Sequence, residues 1–144
     1  MSLNFTISEF CITDDPIEQN IANMILRWHI WEIQKVRDVL QRPIMVSRNS
    51  GYRPYSYEIN RGRSGNSEHT FRNINTHGIG AADYTLNFES NRPYLVQLNE
   101  LFDAIDCHTN YTRIAIYPNN LFIHCDYKAD EKQLFIATPN WKRI

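Results

Sequence analysis

Between Asp15 and Gln41, apolar residues recur at positions 17, 21, 24, 25, 28, 31, 36, 39 and 40, a spacing close to 3.6 residues. Asp15 stands where an N-cap is needed, Pro16 suits the first helical position, and Glu18 closes a capping box. Pro43 sets the end of the run, because the residue before a proline is pushed out of the helical region. The pattern predicts one helix of roughly 40 Å, at about 1.5 Å per residue, and the rest of the chain must pack along its apolar stripe. Trp28, His29 and Trp31 fall on this helix and read as packing residues, with His29 not a metal ligand. A chain of 144 residues has material for one core, so residues 1–144 are expected to form a single domain.

Shorter elements follow. Residues 43–48 (PIMVSR) and 80–86 (GAADYTL) read as strands, and 93–105 as a second amphipathic helix with Leu95, Leu98, Leu101, Phe102 and Ile105 inward. Residues 112–117, 121–127 and 133–138 read as three strands separated by polar turns, in an antiparallel meander. Residues 49–67, rich in Gly, Asn, Ser, Tyr and Arg, show no period and read as a functional loop. The order predicts an α+β domain around one central, mainly antiparallel sheet, with a long N-terminal helix and a second helix.

Charge is unevenly placed. Net charge is −1, which argues against a protein built to grip nucleic acid. No apolar run reaches the roughly 20 residues of a membrane span, and the N-terminus shows no secretory signal. Arginine outnumbers lysine 11 to 4, and five arginines face only Glu58 and Glu68 between residues 48 and 72. Residues 83–110 carry five acids against Arg92. Two readings stand level: the arginines bind an anionic ligand through their forked guanidinium groups, or they pair with the acidic segment across the fold. Cys11, Cys107 and Cys125 have no metal-knuckle spacing and read as reduced, mostly buried thiols.

Three segments could carry chemistry: Ser67-Glu68-His69 in the polar loop, Gly80-Ala81-Ala82-Asp83 at a strand start, and Phe122-Ile123-His124-Cys125-Asp126 inside an apolar strand. Two histidines and a carboxylate can hold zinc with a fourth position open, and zinc lowers the pKa of a water there to about 7. On a strand, His124 and Asp126 leave one face and Cys125 the other. Each histidine taken alone could equally be a satisfied core residue.

Together with Ser50-Gly51-Tyr52-Arg53, these segments resemble the zinc D-alanyl-D-alanine peptidases of the hedgehog/DD-peptidase fold. That family carries a Ser-Gly-Tyr-Arg loop, then Ser-x-His-x-x-Gly-x-Ala-x-Asp, then a final strand with a zinc-binding His. Residues 5–10 (FTISEF) are similar to the start of its carboxypeptidase-like branch, and the resemblance runs in order from about residue 4 to 127. It implies one Zn2+ per chain held by His69, Asp83 and His124. It implies Arg53 as the cation that stabilises the developing oxyanion, with Ser67 contacting substrate; Tyr52, a loop tyrosine, reads either as lining a peptide groove or as a packing lid. The implied substrates are anionic peptidoglycan stem peptides, cut by a carboxypeptidase or an endopeptidase such as a phage-type lytic enzyme. Such an enzyme is expected to be a monomer made in the cytoplasm that acts on the wall after release, with neither nucleic acid nor membrane as partner.

Two departures shape the expectations. Thirteen residues separate His69 from Asp83 where the family has six, and the insert contains His77, a rival first ligand. Leu121 stands where many members have the Glu that serves as catalytic base, so Asp126 becomes the candidate base, with orientation of a metal ligand as its other role. Without a base, the same domain would bind a wall peptide or a protein without cutting. A cytosolic dipeptidase on this fold is a third reading.

Overall fold

The computed structural model describes residues 3–13, 15–47, 51–64, 67–71 and 79–144. Ser50 of the Ser-Gly-Tyr-Arg loop, the rival ligand His77, and Arg48 and Arg72 of the basic segment lie outside the described residues.

The single long helix is not found. Helical structure starts at Gln19, with Glu18 as an N-cap that makes no side-chain capping bond, and it comes in three pieces. These are α1 (Gln19–Met24), a π-helical stretch (Ile25–Ile30) and α2 (Trp31–Leu40). A π turn takes in an extra residue, which rotates everything after it relative to a straight α-helix. The stripe read from the sequence therefore holds only in part beyond its middle: Val36 is buried as expected, but Trp31 and Val39 are 56% and 52% exposed, and Ile30 and Ile33, outside the stripe, are buried. The wider turn also turns His29 inward, where it is fully buried. Its Nε2–H donates to the Ile79 carbonyl at 2.8 Å, so its Nδ1 accepts from the Tyr111 hydroxyl at 2.8 Å. Tyr111 in turn meets Tyr84 at 2.7 Å. Burial pushes the His29 pKa down to about 4, so this histidine is a neutral core residue.

The sheet has six strands: β1 (Ile44–Val46), β2 (Ala81–Leu86), β3 (Arg113–Tyr117), β4 (Phe122–Asp126), β5 (Gln133–Ala137) and β6 (Trp141–Arg143). Their spatial order is β1-β2-β4-β3-β5-β6. Four pairings are antiparallel, but β5 lies parallel to β3 instead of completing a meander with β4. The meander is corrected for a positional reason. Both edges of β4 are already taken, by β2 and β3, so the chain must cross back to the free side of β3. Two further α-helices complete the fold: the short α3 (Tyr55–Asn60), inside the segment read as a loop, and the longer α4 (Tyr94–His108). Leu98, Leu101, Phe102 and Ile105 of α4 are buried as expected, whereas Leu95 is 46% exposed.

Strand alternation gives the sheet two unlike faces. Ala82, Tyr84, Ile114, Ile116, Ile123 and Cys125 form the core with residues of α2 and α4. The opposite face carries Asp83, Arg113, Ala115, Tyr117, His124 and Asp126 (cross-strand neighbours by register). Cys11 is half-buried, Cys107 exposed and Cys125 buried, so only one of the three thiols is fully inside.

Candidate metal centre

The register sets Asp83 of β2 directly opposite His124 of β4. His69 arrives from outside the sheet on a 3-10 turn, Glu68–Thr70, whose N-cap Ser67 accepts the His69 backbone N–H at 3.2 Å. Ser67 thus serves the turn that carries His69. The turn is laced to the Gly51–Arg53 stretch: Arg53 N–H donates to the His69 carbonyl at 2.8 Å, and His69 Nδ1–H donates to the Gly51 carbonyl at 2.9 Å. Two glycines are required by contact. A Cβ on Gly51 would lie 2.3 Å from the Phe10 carbonyl oxygen, and one on Gly80, at φ +83°, would enter the Phe71 ring.

His69, Asp83 and His124 are all buried, and one donor atom from each lies within 4.8 Å of the others. His124 Nδ1 is 2.9 Å from one Asp83 oxygen, and His69 Nε2 is 3.6 Å from the other. A tetrahedral ion with bonds of about 2.0 to 2.2 Å needs donors roughly 3.3 to 3.6 Å apart, so small shifts would admit it. The outer nitrogens are already engaged. His69 Nδ1 is fixed by the Gly51 carbonyl and His124 Nε2 by Asp126 Oδ2 at 2.7 Å. Such outer partners set the tautomer of a metal-ligating histidine.

Asp126 lies behind His124, fully buried, and neither oxygen is left for a water molecule. Arg113 forks onto it with Nε at 2.9 Å and Nη2 at 2.5 Å, and the Lys128 backbone N–H donates at 2.9 Å. Burial resists its charge, but His124 and Arg113 outweigh that and hold the carboxyl well below the usual range. A carboxylate so placed is held by His124, Arg113 and the Lys128 N–H.

Burial works against protonation of His124, yet the Asp126 and Asp83 carboxylates prevail and raise its pKa to about 9. Burial instead lowers the pKa of His69, with Asp83 opposing the shift. In the metal-free chain His124 is thus a cation between two carboxylates. Its folded pKa exceeds the ordinary 6.5, so its contribution to stability is complete below about 6.5 and lost as pH rises through about 9. Metal binding runs the other way, because the ion must displace that proton. Zinc affinity is expected to climb about tenfold per pH unit from 6.5 to about 9, as measured with chelator-buffered zinc. A plateau already reached near pH 7 would contradict the bridged geometry.

Arg113 went unread in the sequence. The Arg113 guanidinium lies 4.6 Å from the Trp141 ring centroid and 3.3 Å from Glu68 Oε1. Trp141 stands edge-on to the His124 ring at 5.3 Å and donates its Nε1–H to the Tyr117 hydroxyl at 2.6 Å. Between Arg113 and Tyr117, Ala115 pairs with His124. The 117–122 hairpin register would have exposed the Arg113–Asp126 pair, since the two residues are cross-strand partners.

Arg53 is half-buried, 3.4 Å from Glu58 Oε1, and close enough to His69 to disfavour its protonation. Glu58 is completely buried and is also held by Arg63 at 2.9 Å. Among the described residues, Arg53 and Arg63 of the basic segment pair with its own Glu58, and Glu68 takes Arg113 from the sheet. Tyr52 packs edge-on against Phe71 at 5.2 Å. No family model matches the chain, and neither a curated protein nor a solved structure does. Among the described residues no helix is long and apolar enough to cross a membrane.

Proposed function

We propose that this protein is a mononuclear zinc peptidase of the hedgehog/DD-peptidase type that cuts anionic stem peptides of peptidoglycan. The observation that carries the reading is the inward convergence of His69 Nε2, Asp83 and His124 Nδ1, with both outer imidazole nitrogens already committed. Zinc held there would supply Lewis acidity and a nucleophile at neutral pH. Around it the chain's own groups divide the remaining work. Arg53, beside His69, offers a forked cation to the charge that develops on the substrate carbonyl oxygen. Trp141 packs edge-on beside His124 and is held there by the Tyr117 hydroxyl. Glu68, partly exposed and joined to the cluster through Arg113, is the carboxylate left to move a proton once Asp126 is committed to His124. The site would act as a monomer on the wall after release from the cytoplasm.

If Arg53 acts on the transition state, Arg53→Lys lowers kcat at least tenfold with KM little changed, because lysine keeps the charge but loses the fork. A change confined to KM would make Arg53 a clamp for a substrate carboxylate instead.

One observation favours a second reading, a non-catalytic peptide-binding module. Leu121 fills the position where a base was expected and lies in the hairpin turn with φ 59°, its carbonyl bonded to Thr85 Oγ1 at 2.7 Å. Digestion of purified peptidoglycan and of free D-Ala-D-Ala, with product analysis, decides between them. Zinc-dependent release of stem fragments that a chelator stops is the expected result; cleavage of the free dipeptide alone indicates a dipeptidase. Zinc uptake with no product from either substrate overturns the peptidase.

A further inference from the structure

A groove of about 1080 Å³ runs between the 12–21 segment and the 54–61 segment. The two segments are tied at one end, where Ile12 N–H donates to the Tyr52 carbonyl at 3.2 Å. That end abuts the metal centre through the chain itself, because the groove is lined by Tyr52 and Thr70, the neighbours of Arg53 and His69. The volume is at the upper limit of pockets that hold small molecules, about 300 to 1,000 Å³, and suits several residues of an extended peptide.

The charges of the lining have unlike signs. Asp15 and Glu18 contribute carboxylates from one segment, and among the described residues neither takes an ion-pair or hydrogen-bond partner for its side chain. Arg61 contributes a guanidinium from the other segment, held against the Tyr57 ring and bonded to the Tyr57 carbonyl at 3.4 Å. No carboxylate pairs with Arg61 among the described residues. Opposite charges that line one groove without meeting are complementary to a ligand that carries both signs.

We propose that this groove binds the part of a peptide substrate remote from the bond that is cut, and that it selects peptides bearing a free side-chain amine as well as a carboxylate. Asp15 and Glu18 take the ammonium group and Arg61 the carboxylate. The inference rests on the peptidase reading, and it narrows the substrate to stem peptides with an unmodified diamino residue. Interactions far from the reacting bond still contribute to catalysis, since their binding free energy can be used to position it.

The test titrates the tetrapeptide L-Ala-γ-D-Glu-L-Lys-D-Ala and its Nε-acetylated form, by calorimetry, into the full chain and into full-length His124→Ala. Acetylation is expected to weaken binding roughly tenfold, the sum of two exposed pairs, to both proteins. Asp15→Asn/Glu18→Gln is expected to bind the two forms equally, and Arg61→Gln to weaken both alike. Equal affinity of the unaltered chain for the two forms, or no saturable binding of either, overturns the proposal. The two failures are distinguishable. Selectivity for the amine without any zinc-dependent cleavage leaves the groove and removes the peptidase; cleavage without selectivity does the reverse.

Discussion

If His69, Asp83 and His124 form the proposed zinc centre, His124→Ala is expected to bind zinc roughly 1,000-fold more weakly than the unaltered chain and to release no product above background. Structural zinc sites contribute about 10 to 16 kcal/mol; losing one of three ligands removes about a third of that, and about 1.4 kcal/mol is tenfold. The fold survives, because His124 belongs to the site face of β4 while Ile123 and Cys125 pack in the core. Asp126 keeps Arg113 and the Lys128 N–H after the imidazole is gone. Cys125→Ser is the control, because its side chain leaves the opposite face and zinc affinity should not move. Circular dichroism and competition with a chromophoric chelator read both quantities. Zinc affinity of His124→Ala within tenfold of the unaltered chain would remove His124 from the ligand set.

Arg113→Met is expected to have the largest effect on stability, a loss of about 3 to 5 kcal/mol, the usual cost of breaking a buried pair from one side. Asp126 is completely buried and Arg113 is half-buried, and the guanidinium holds both carboxylate oxygens. Adding Asp126→Asn should recover part of the loss, since the carboxylate that loses its guanidinium, and keeps only His124 and the Lys128 N–H, is then neutral. Asp126→Asn alone should weaken zinc roughly 10- to 100-fold, with activity restored by excess metal. Turnover that stays lost at full zinc occupancy would return the base role to Asp126. Urea denaturation that finds Arg113→Met within about 0.5 kcal/mol of the unaltered chain would mean that water replaces the guanidinium.

The parts of this site that were legible in the sequence are those governed by local patterns. Alternation alone placed His124 and Asp126 on one face of β4 and turned Cys125 away, as the register has it. The gathering of His69, Asp83 and His124 came from resemblance, since no spacing rule links a loop, a strand start and a second strand. What was missed depended on contacts between distant segments. The apolar period between Asp15 and Gln41 could not reveal the π stretch, whose inward His29 is met by Ile79 and Tyr111, both far away in sequence. The parallel placement of β5 follows from which edges β2 and β3 had taken, not from residues 133–137 themselves. Arg113 looked like an ordinary strand arginine until its register partner proved to be Asp126.

Zinc K-edge absorption of the stoichiometric complex tests the central claim most directly. The account predicts one ion per chain with only nitrogen and oxygen donors at about 2.0 to 2.2 Å, two of them imidazoles. It also predicts that the imidazole signal falls in both His69→Ala and His124→Ala, and is unchanged in His77→Ala. A sulfur donor near 2.3 Å, or an imidazole signal that survives loss of both His69 and His124, would contradict it.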